Sequence, residues 1–144
     1  MQSARAEVLS DVFDKIRLRH WQEIVQNFAD SAIWEVRPQS AIEAIPGLPD
    51  GGRLSVKELV GWWERSKEGL EYSGFDVHKT VQSEDSLVGW LTLHATRTED
   101  GKKLDQEVVV LLDFEPHTPR VKKGVEFVDS GELSYPFAAF ASMN

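Results

Sequence analysis

The sequence predicts an α+β domain in which helices come first and a mainly antiparallel sheet follows. Apolar residues recur at helical spacing in the first half of the chain, whereas the second half contains four segments of alternating or β-branched residues. Between two of these segments lies Asp100-Gly101, a dipeptide that accepts the positive φ angles of a two-residue hairpin turn. Helices gathered before such a meander predict a sheet that curls around the helices.

Length and composition limit the possible functions. The 144 residues, 41% of them hydrophobic, predict one domain over residues 1–144. The chain has no cysteine, which excludes disulfides, thiolate catalysis and cysteine metal sites. A formal charge of −8 argues against nucleic acid or an anionic membrane as the main partner. Charged residues interrupt the N-terminal region and no apolar run could span a bilayer, so we expect a soluble cytoplasmic protein.

The N-terminal region predicts two consecutive helices and a short strand. Apolar residues at helical spacing mark one helix from Arg5 to His20 and a second from Trp21 to Phe28. Ala29 to Val36 alternates between its two faces, which is typical of a strand.

A long loop and a third helix come next. Residues 38–53 contain several Pro and Gly breakers and predict a loop, either a lid or binding loop or a disordered insertion. Ser55 and Glu58 have the spacing of a capping box, so a third helix should begin there and end near Gly69.

The hairpin around Asp100-Gly101 predicts which side chains face the interior. A two-residue turn pairs Leu93 with Val108 and Leu91 with Val110 on an apolar face. The other face carries His94 opposite Glu107, next to Trp90 and Leu111.

The register of the strands on either side of this hairpin depends on turns other than Asp100-Gly101. In the strand from Tyr72 to Gln82, a tight turn at Glu84-Asp85 places His78 and Asp76 on the apolar face, whereas a one-residue slip replaces them with Phe75 and Val77. In the last strand, from Arg120 to Asp129, the side chains of Phe127 and Asp129 are predicted to face the interior.

Three segments resemble the NTF2-like superfamily, in particular SnoaL-like proteins and their fungal relatives. They are FADSAIWEV, the helix containing GWWERS, and KKGVEFVDSGELSYPFAAF. The resemblance implies a cone-shaped, strongly bent sheet closed by helices around one pocket, and frequently a homodimer. Such proteins include isomerases, polyketide cyclases, dehydratases, epoxide hydrolases and members without known catalysis, so the fold alone does not choose the function.

The ketosteroid isomerases of this superfamily allow a comparison residue by residue. Their catalytic groups are an Asp base and an oxyanion hole made by a Tyr and a protonated Asp. In this chain the resemblance places Val36 at the base, Val12 at the Tyr and Val110 at the second Asp. A valine can neither take a proton nor donate a hydrogen bond, so isomerisation by that route is excluded.

What remains of that comparison is an apolar cavity, suited to a small lipophilic molecule such as a polyketide or terpenoid. Trp34 and Trp63 could stack on a flat ligand there or simply fill the core. The expected substrate-binding residues are Val12, Trp34, Val36, Trp63, Leu91, Leu93, Val108, Val110 and Phe127.

Three polar groups are candidates for acid/base chemistry. His78 is the best single candidate because histidine is the usual acid/base residue at neutral pH, and Asp76 would orient its ring, although a strand histidine is more often a surface or structural residue. Asp129 could be an acid at the cavity mouth or a cap for the following turn. His94 with Glu107 could be an ion pair at a subunit interface, or a catalytic dyad if a bulge reverses the strand.

Two functions are therefore predicted. The first is a cofactor-independent acid/base enzyme, a cyclase, isomerase or dehydratase acting on a lipophilic natural product. The second is a noncatalytic small-molecule-binding or dimeric structural protein. No metal or cofactor is predicted, because the four histidines lie on different elements and no phosphate-binding or nucleophile motif occurs. A homodimer is expected through an outer sheet face that carries Trp90, His94, Glu107 and Leu111.

Overall fold

A computed structural model describes residues 2–37, 49–66 and 68–128 of the chain. Over these residues the chain forms three α-helices, two short 3-10 turns (Val25–Asn27 and Pro49–Gly52) and one six-stranded sheet. The elements are α1 (Gln2–Arg17), α2 (Trp21–Ile24), β1 (Phe28–Arg37), β2 (Arg53–Ser55), α3 (Val56–Ser66), β3 (Leu70–Gln82), β4 (Ser86–Arg97), β5 (Lys103–Phe114) and β6 (Val121–Val128). The predicted α+β class and order of elements are confirmed, whereas the strand β2 was not predicted. Residues 38–48 of the predicted loop lie outside the described residues.

The sheet has the strand order β2-β1-β6-β5-β4-β3. Strands β3 to β6 form the predicted antiparallel meander, and β1 adds to β6 in parallel. Helix α1 packs on β3 and β4, and α3 packs on β1. The helices thus cover one face of the sheet, and this inner face holds the hydrophobic core.

Helix α3 begins with the predicted capping box. The Ser55 backbone N–H donates to Glu58 Oε1 at 2.9 Å, and the Glu58 N–H donates to Ser55 Oγ at 3.2 Å. These two bonds satisfy N–H groups that have no partner within the helix. Both Trp62 and Trp63 are buried on this helix.

The hairpin between β4 and β5 has a four-residue turn rather than the predicted two-residue turn. The Arg97 N–H donates to the Lys102 carbonyl at 2.8 Å, and Gly101, the last turn residue, adopts a φ of 71°. Asp100 accepts hydrogen bonds from the Arg97 side chain and the Lys102 N–H, which lower the pKa of its carboxyl to about 2.

The longer turn shifts the pairing of β4 and β5 by two residues. Leu91 pairs with Val108 and Leu93 with Gln106, so the predicted pairs are wrong. A shift of two residues leaves each side chain on its predicted face, because successive side chains alternate. Val108 and Val110 accordingly face the core, as predicted.

Strand β3 contains a bulge that reverses one of its predicted faces. The tight turn at Glu84-Asp85 is confirmed, and it sets the register from Gln82 to Lys79. At His78 the register shifts by one residue, so that Val77 rather than His78 pairs with Leu91. The predicted inward placement of His78 and Asp76 is therefore wrong, because a one-residue shift exchanges the two faces of a strand.

Candidate active site

Trp34 lies at the centre of the core, where strand β1 meets β6. Its ring lies over Gly124, which leaves room for it: a Cβ at Gly124 would come within 2.3 Å of the indole. The ring also makes edge contacts with Trp63 and Phe28, at centroid distances of 5.5 and 6.1 Å. Trp34 and Trp63 are buried, which confirms their predicted inward orientation.

Glu126 on β6 places a carboxyl group in this core. It is 1% exposed, and the Trp34 Nε1–H donates to its Oε1 at 3.2 Å. The strand register puts Glu126 directly opposite Val36 on β1 and Val110 on β5. Those two valines occupy the positions where the resemblance places the isomerase carboxylates, so this chain carries its interior carboxylate on the strand between them.

The sequence pattern did not indicate Glu126, because the opposite face of the last strand was predicted to be the inner one. The register of β6 against β5 shifts near Val121, and beyond that point Gly124, Glu126 and Val128 face inward. Phe127 consequently faces outward and is 46% exposed, so its predicted place in the cavity is wrong. The signal in the sequence was Gly124, since a glycine in a strand often marks a close approach by another group.

Two further polar side chains face the interior, Tyr72 on β3 and Gln106 on β5. Burial first, and then the negative charges of Glu126 and Asp14, raise the pKa of the Tyr72 phenol far above its usual value of 10.0. The phenol therefore remains protonated. Strands β4 and β5 lie between the strands that carry Tyr72 and Glu126.

A surface cleft reaches Tyr72 from outside. It has a volume of about 410 Å³ and lies between the end of α1 and the start of β3. Arg17, Arg19, Glu68 and Thr98 are among its walls. Tyr72 itself is one of the residues that line the cleft.

The other predicted cavity residues are all buried in the core. They are Val12, Val36, Leu91, Leu93, Val108 and Val110. Val36 and Val110 lie directly opposite Glu126, so its immediate neighbours across the sheet are apolar.

The predicted acid/base candidates lie elsewhere. His78 faces outward, with Nε2 at 2.6 Å from Thr92 Oγ1 and its ring at 4.6 Å from that of Trp90. Asp76 is on the same outer face, bound to His94 rather than to His78. Asp129 lies outside the described residues.

His94 does not pair with Glu107 as predicted. Its Nε2 lies 2.7 Å from Asp76 Oδ2, and its Nδ1 lies 3.1 Å from Asp105 Oδ1. Hydrogen bonds to Asp76 and Asp105 raise the pKa of the His94 imidazole. Glu107 instead accepts a hydrogen bond from Trp90 Nε1 at 3.2 Å. The outward orientation of these side chains is confirmed, and only the partner was wrong.

Among the described residues, no three His, Asp or Glu side chains cluster in a way that could hold a metal ion. Within the same residues, no helix is both long enough and apolar enough to cross a membrane.

Comparison with known proteins identifies the fold. No family profile and no curated protein matches the sequence. IdmH, a candidate polyketide cyclase from Streptomyces antibioticus, superposes with a TM-score of 0.72 at 11% identity over 87% of this chain and 91% of its own. An NTF2-like protein of unknown function from Burkholderia pseudomallei gives 0.68 at 14% identity over 90% and 94%. An LEH-like epoxide hydrolase from M. tuberculosis gives 0.67 at 7% identity over 97% and 93%.

The chain therefore has the NTF2-like cone fold that the resemblance implied. At these identities the likeness establishes the fold alone, because this fold supports several activities. The likeness to fungal proteins stays a prediction.

Proposed function

We propose that this protein is a cofactor-independent acid/base enzyme that acts on a small lipophilic natural product such as a polyketide or terpenoid. Glu126 moves a proton to or from the substrate, and Tyr72 donates a hydrogen bond to a substrate oxygen. The observation that carries this proposal is the nearly complete burial of Glu126 among apolar side chains on the inner face of the sheet.

The position of Glu126 is costly for stability alone. A carboxyl group in an apolar interior loses its hydration, and an apolar side chain of similar volume would avoid that loss. Buried ionisable groups of this kind are concentrated at functional sites. The indole of Trp34 donates to one carboxyl oxygen, so the carboxyl group has a fixed orientation.

Tyr72 supplies the complementary group. A phenol with a raised pKa keeps its proton at any pH at which the enzyme would work. It can therefore donate to a carbonyl or enolate oxygen, the role of a hydrogen-bond donor in an oxyanion hole. The reaction class that needs a carboxylate and such a donor is proton abstraction next to a carbonyl, a step shared by cyclases, isomerases and dehydratases.

Proton exchange tests this proposal without knowledge of the natural substrate. In deuterated buffer, 2-tetralone loses the protons next to its carbonyl, and proton NMR follows the loss. We expect the wild-type protein to accelerate this exchange and Glu126→Gln to reduce the acceleration by about 10²–10⁴-fold, the usual contribution of a general base. Gln keeps the acceptor for Trp34, so the fold should be retained.

The matched control is Asp76→Asn, which removes a carboxylate from the outer face. It should leave the exchange unchanged. Equal rates for wild type and Glu126→Gln would refute the assignment of Glu126.

The alternative function is noncatalytic binding in the same interior. It is favoured by the uniformly apolar side chains around Glu126, which suit a packed core or a ligand without reactive groups. Saturable binding of 2-tetralone with no acceleration of exchange by the wild-type protein would establish this alternative.

We also propose that the protein forms a homodimer through the outer face of the sheet. Two adjacent rows of apolar side chains cross this face from β6 towards β3, namely Phe127, Val109 and Trp90, and Val125, Leu111, Val88 and Val81. Several of them are exposed, including Trp90 at 45%. A contiguous apolar band of this kind is typical of an interaction surface.

The charges beside this apolar band are complementary to one another. On the β1 side, Arg37, Arg53 and Lys123 surround the single carboxylate of Glu35, at 2.9, 3.0 and 3.8 Å. Towards β3, the carboxylates of Asp76, Asp105 and Glu107 surround His94 or lie next to it.

A twofold axis between two facing sheets exchanges these two regions. The basic side chains around Glu35 in one copy would then lie on the acidic side chains around His94 in the other copy. Sedimentation equilibrium should show a dimer at micromolar concentration, and a monomer there would contradict the proposal.

A further inference from the structure

Gln106 is a polar side chain on the inner face besides Glu126 and Tyr72, and its amide has a fixed orientation. It is 1% exposed and lies opposite Leu93 of β4. Its Nε2 donates to the backbone carbonyl of Glu107 at 2.9 Å. A carbonyl oxygen can only accept, so this bond assigns the amide nitrogen and leaves Oε1 on the other side of the group.

The Oε1 atom of Gln106 is a buried acceptor that receives no hydrogen bond from the described residues. A buried acceptor without a hydrogen bond lowers the stability of a folded protein, whereas an apolar side chain of the same shape would not. The surrounding inward positions, such as Leu93 and Val108, are indeed apolar. The amide is thus the exception on its part of the inner face.

We propose that Gln106 recognises a hydroxyl group on the ligand of the interior site. The inference rests on the proposed function, because it assumes that a ligand enters the same interior. An acceptor without a donor selects molecules that bring an O–H, and a buried polar group rejects analogues that lack it. The ligand class is therefore a hydroxylated lipophilic molecule rather than a pure hydrocarbon or an unsubstituted ketone.

The sheet register also indicates the size of that ligand. Glu126 lies opposite Val110, which is four residues from Gln106 along β5. At a rise of about 3.3 Å per residue, the two polar groups are on the order of 13 Å apart along the strand. A fused polycyclic molecule can approach both groups, with its hydroxyl at one end and its reacting carbon at the other.

Two probes that differ in a single group test the recognition of the hydroxyl. 2-Naphthol and 2-methylnaphthalene have nearly the same shape, and titration calorimetry gives a dissociation constant for each. The wild-type ratio of these constants should change by roughly tenfold in Gln106→Met, with most of the loss in 2-naphthol affinity. Comparing this ratio between the wild type and the variant cancels the general difference in hydrophobicity between the probes.

Leu104→Met is the matched control, since Leu104 is buried two residues from Gln106 on the same face of β5 and carries no polar group. Its ratio should equal that of the wild type. An unchanged ratio in Gln106→Met would overturn the inference.

The stability of the free protein gives a second, independent measurement. If Oε1 has no partner before the ligand binds, Gln106→Met should keep or raise the melting temperature. A lowered melting temperature together with an unchanged probe ratio would show that a buried water satisfies this oxygen, which also overturns the inference.

The two proposals can fail separately. Glu126→Gln should bind both probes with the wild-type ratio, because the ratio depends on Gln106. If the wild-type protein does not accelerate proton exchange but Gln106→Met changes the ratio of dissociation constants, only the proposed catalysis is contradicted. Intact exchange with no effect of Gln106→Met on the ratio contradicts only the hydroxyl recognition.

Discussion

Replacing Gly124 with alanine should disturb the centre of the candidate site. The added Cβ would lie 2.3 and 2.5 Å from two carbons of the Trp34 ring, well inside normal contact distance. The ring has little room to move, because Trp63 and Phe28 pack against it. Overpacking of this kind costs about 1–3 kcal/mol, and the rigid ring places Gly124→Ala towards the upper end.

Gly89→Ala is the matched control in the same sheet. Its Cβ would approach Leu9 Cδ2 to 2.2 Å, but the next nearest atom is 3.6 Å away. A leucine methyl group can turn aside by a change of rotamer, so we expect a cost of about 1 kcal/mol.

Urea unfolding of both variants measures the difference. Gly124→Ala should lose more unfolding free energy than Gly89→Ala, and it should also lose proton exchange, because a displaced Trp34 no longer orients Glu126. An equal or smaller loss of stability in Gly124→Ala would refute the packing described for Trp34.

Three further predictions concern the charged groups. Arg5 is buried and donates hydrogen bonds to the carbonyls of Glu84, Glu115 and Thr118, which join α1 to two turns. Arg5→Met should therefore lower the unfolding free energy, measured in urea titrations, by about 2–4 kcal/mol. A loss below about 1 kcal/mol would contradict this role. The raised pKa of His94 stabilises the fold fully below its usual value of 6.5, and this contribution is lost as the pH rises through the higher folded value. The stability of the wild type relative to His94→Gln should therefore fall as the pH rises above 6.5, and a difference that is constant with pH would contradict the bonds to Asp76 and Asp105. Arg53→Glu and Asp105→Lys should each weaken the proposed dimer, as measured by sedimentation. An equimolar mixture of the two variants should restore the dimer, because opposite charges then meet at both contacts. A mixture that stays monomeric would exclude the proposed orientation.

The sequence predicted correctly those features whose hydrogen bonds join residues only a few positions apart. The Ser55 and Glu58 capping box formed as predicted because both of its hydrogen bonds are local. The turn at Glu84-Asp85 was also correct. The Asp100-Gly101 turn was placed correctly but its length was wrong, and the error of two residues did not change which side chains face the core.

Errors of one residue had larger consequences for the site. The bulge at His78 turned the predicted catalytic pair outward, and the register shift near Val121 exchanged Phe127 for Glu126 on the inner face. A bulge depends on how the whole sheet bends around the helices, and no dipeptide marks it. The apolar lining could therefore be predicted from the sequence, whereas the only sequence signal for the interior carboxylate was Gly124 on the same strand.

The most direct test is to locate a bound ligand by NMR with methyl-labelled valine. Val36 and Val110 flank Glu126, whereas Val25 and Val60 line a separate surface cleft of about 430 Å³. Nuclear Overhauser effects from 2-tetralone should reach the methyl groups of Val36 and Val110. Effects confined to Val25 and Val60 would show that the ligand binds outside the core and would contradict a functional role for Glu126.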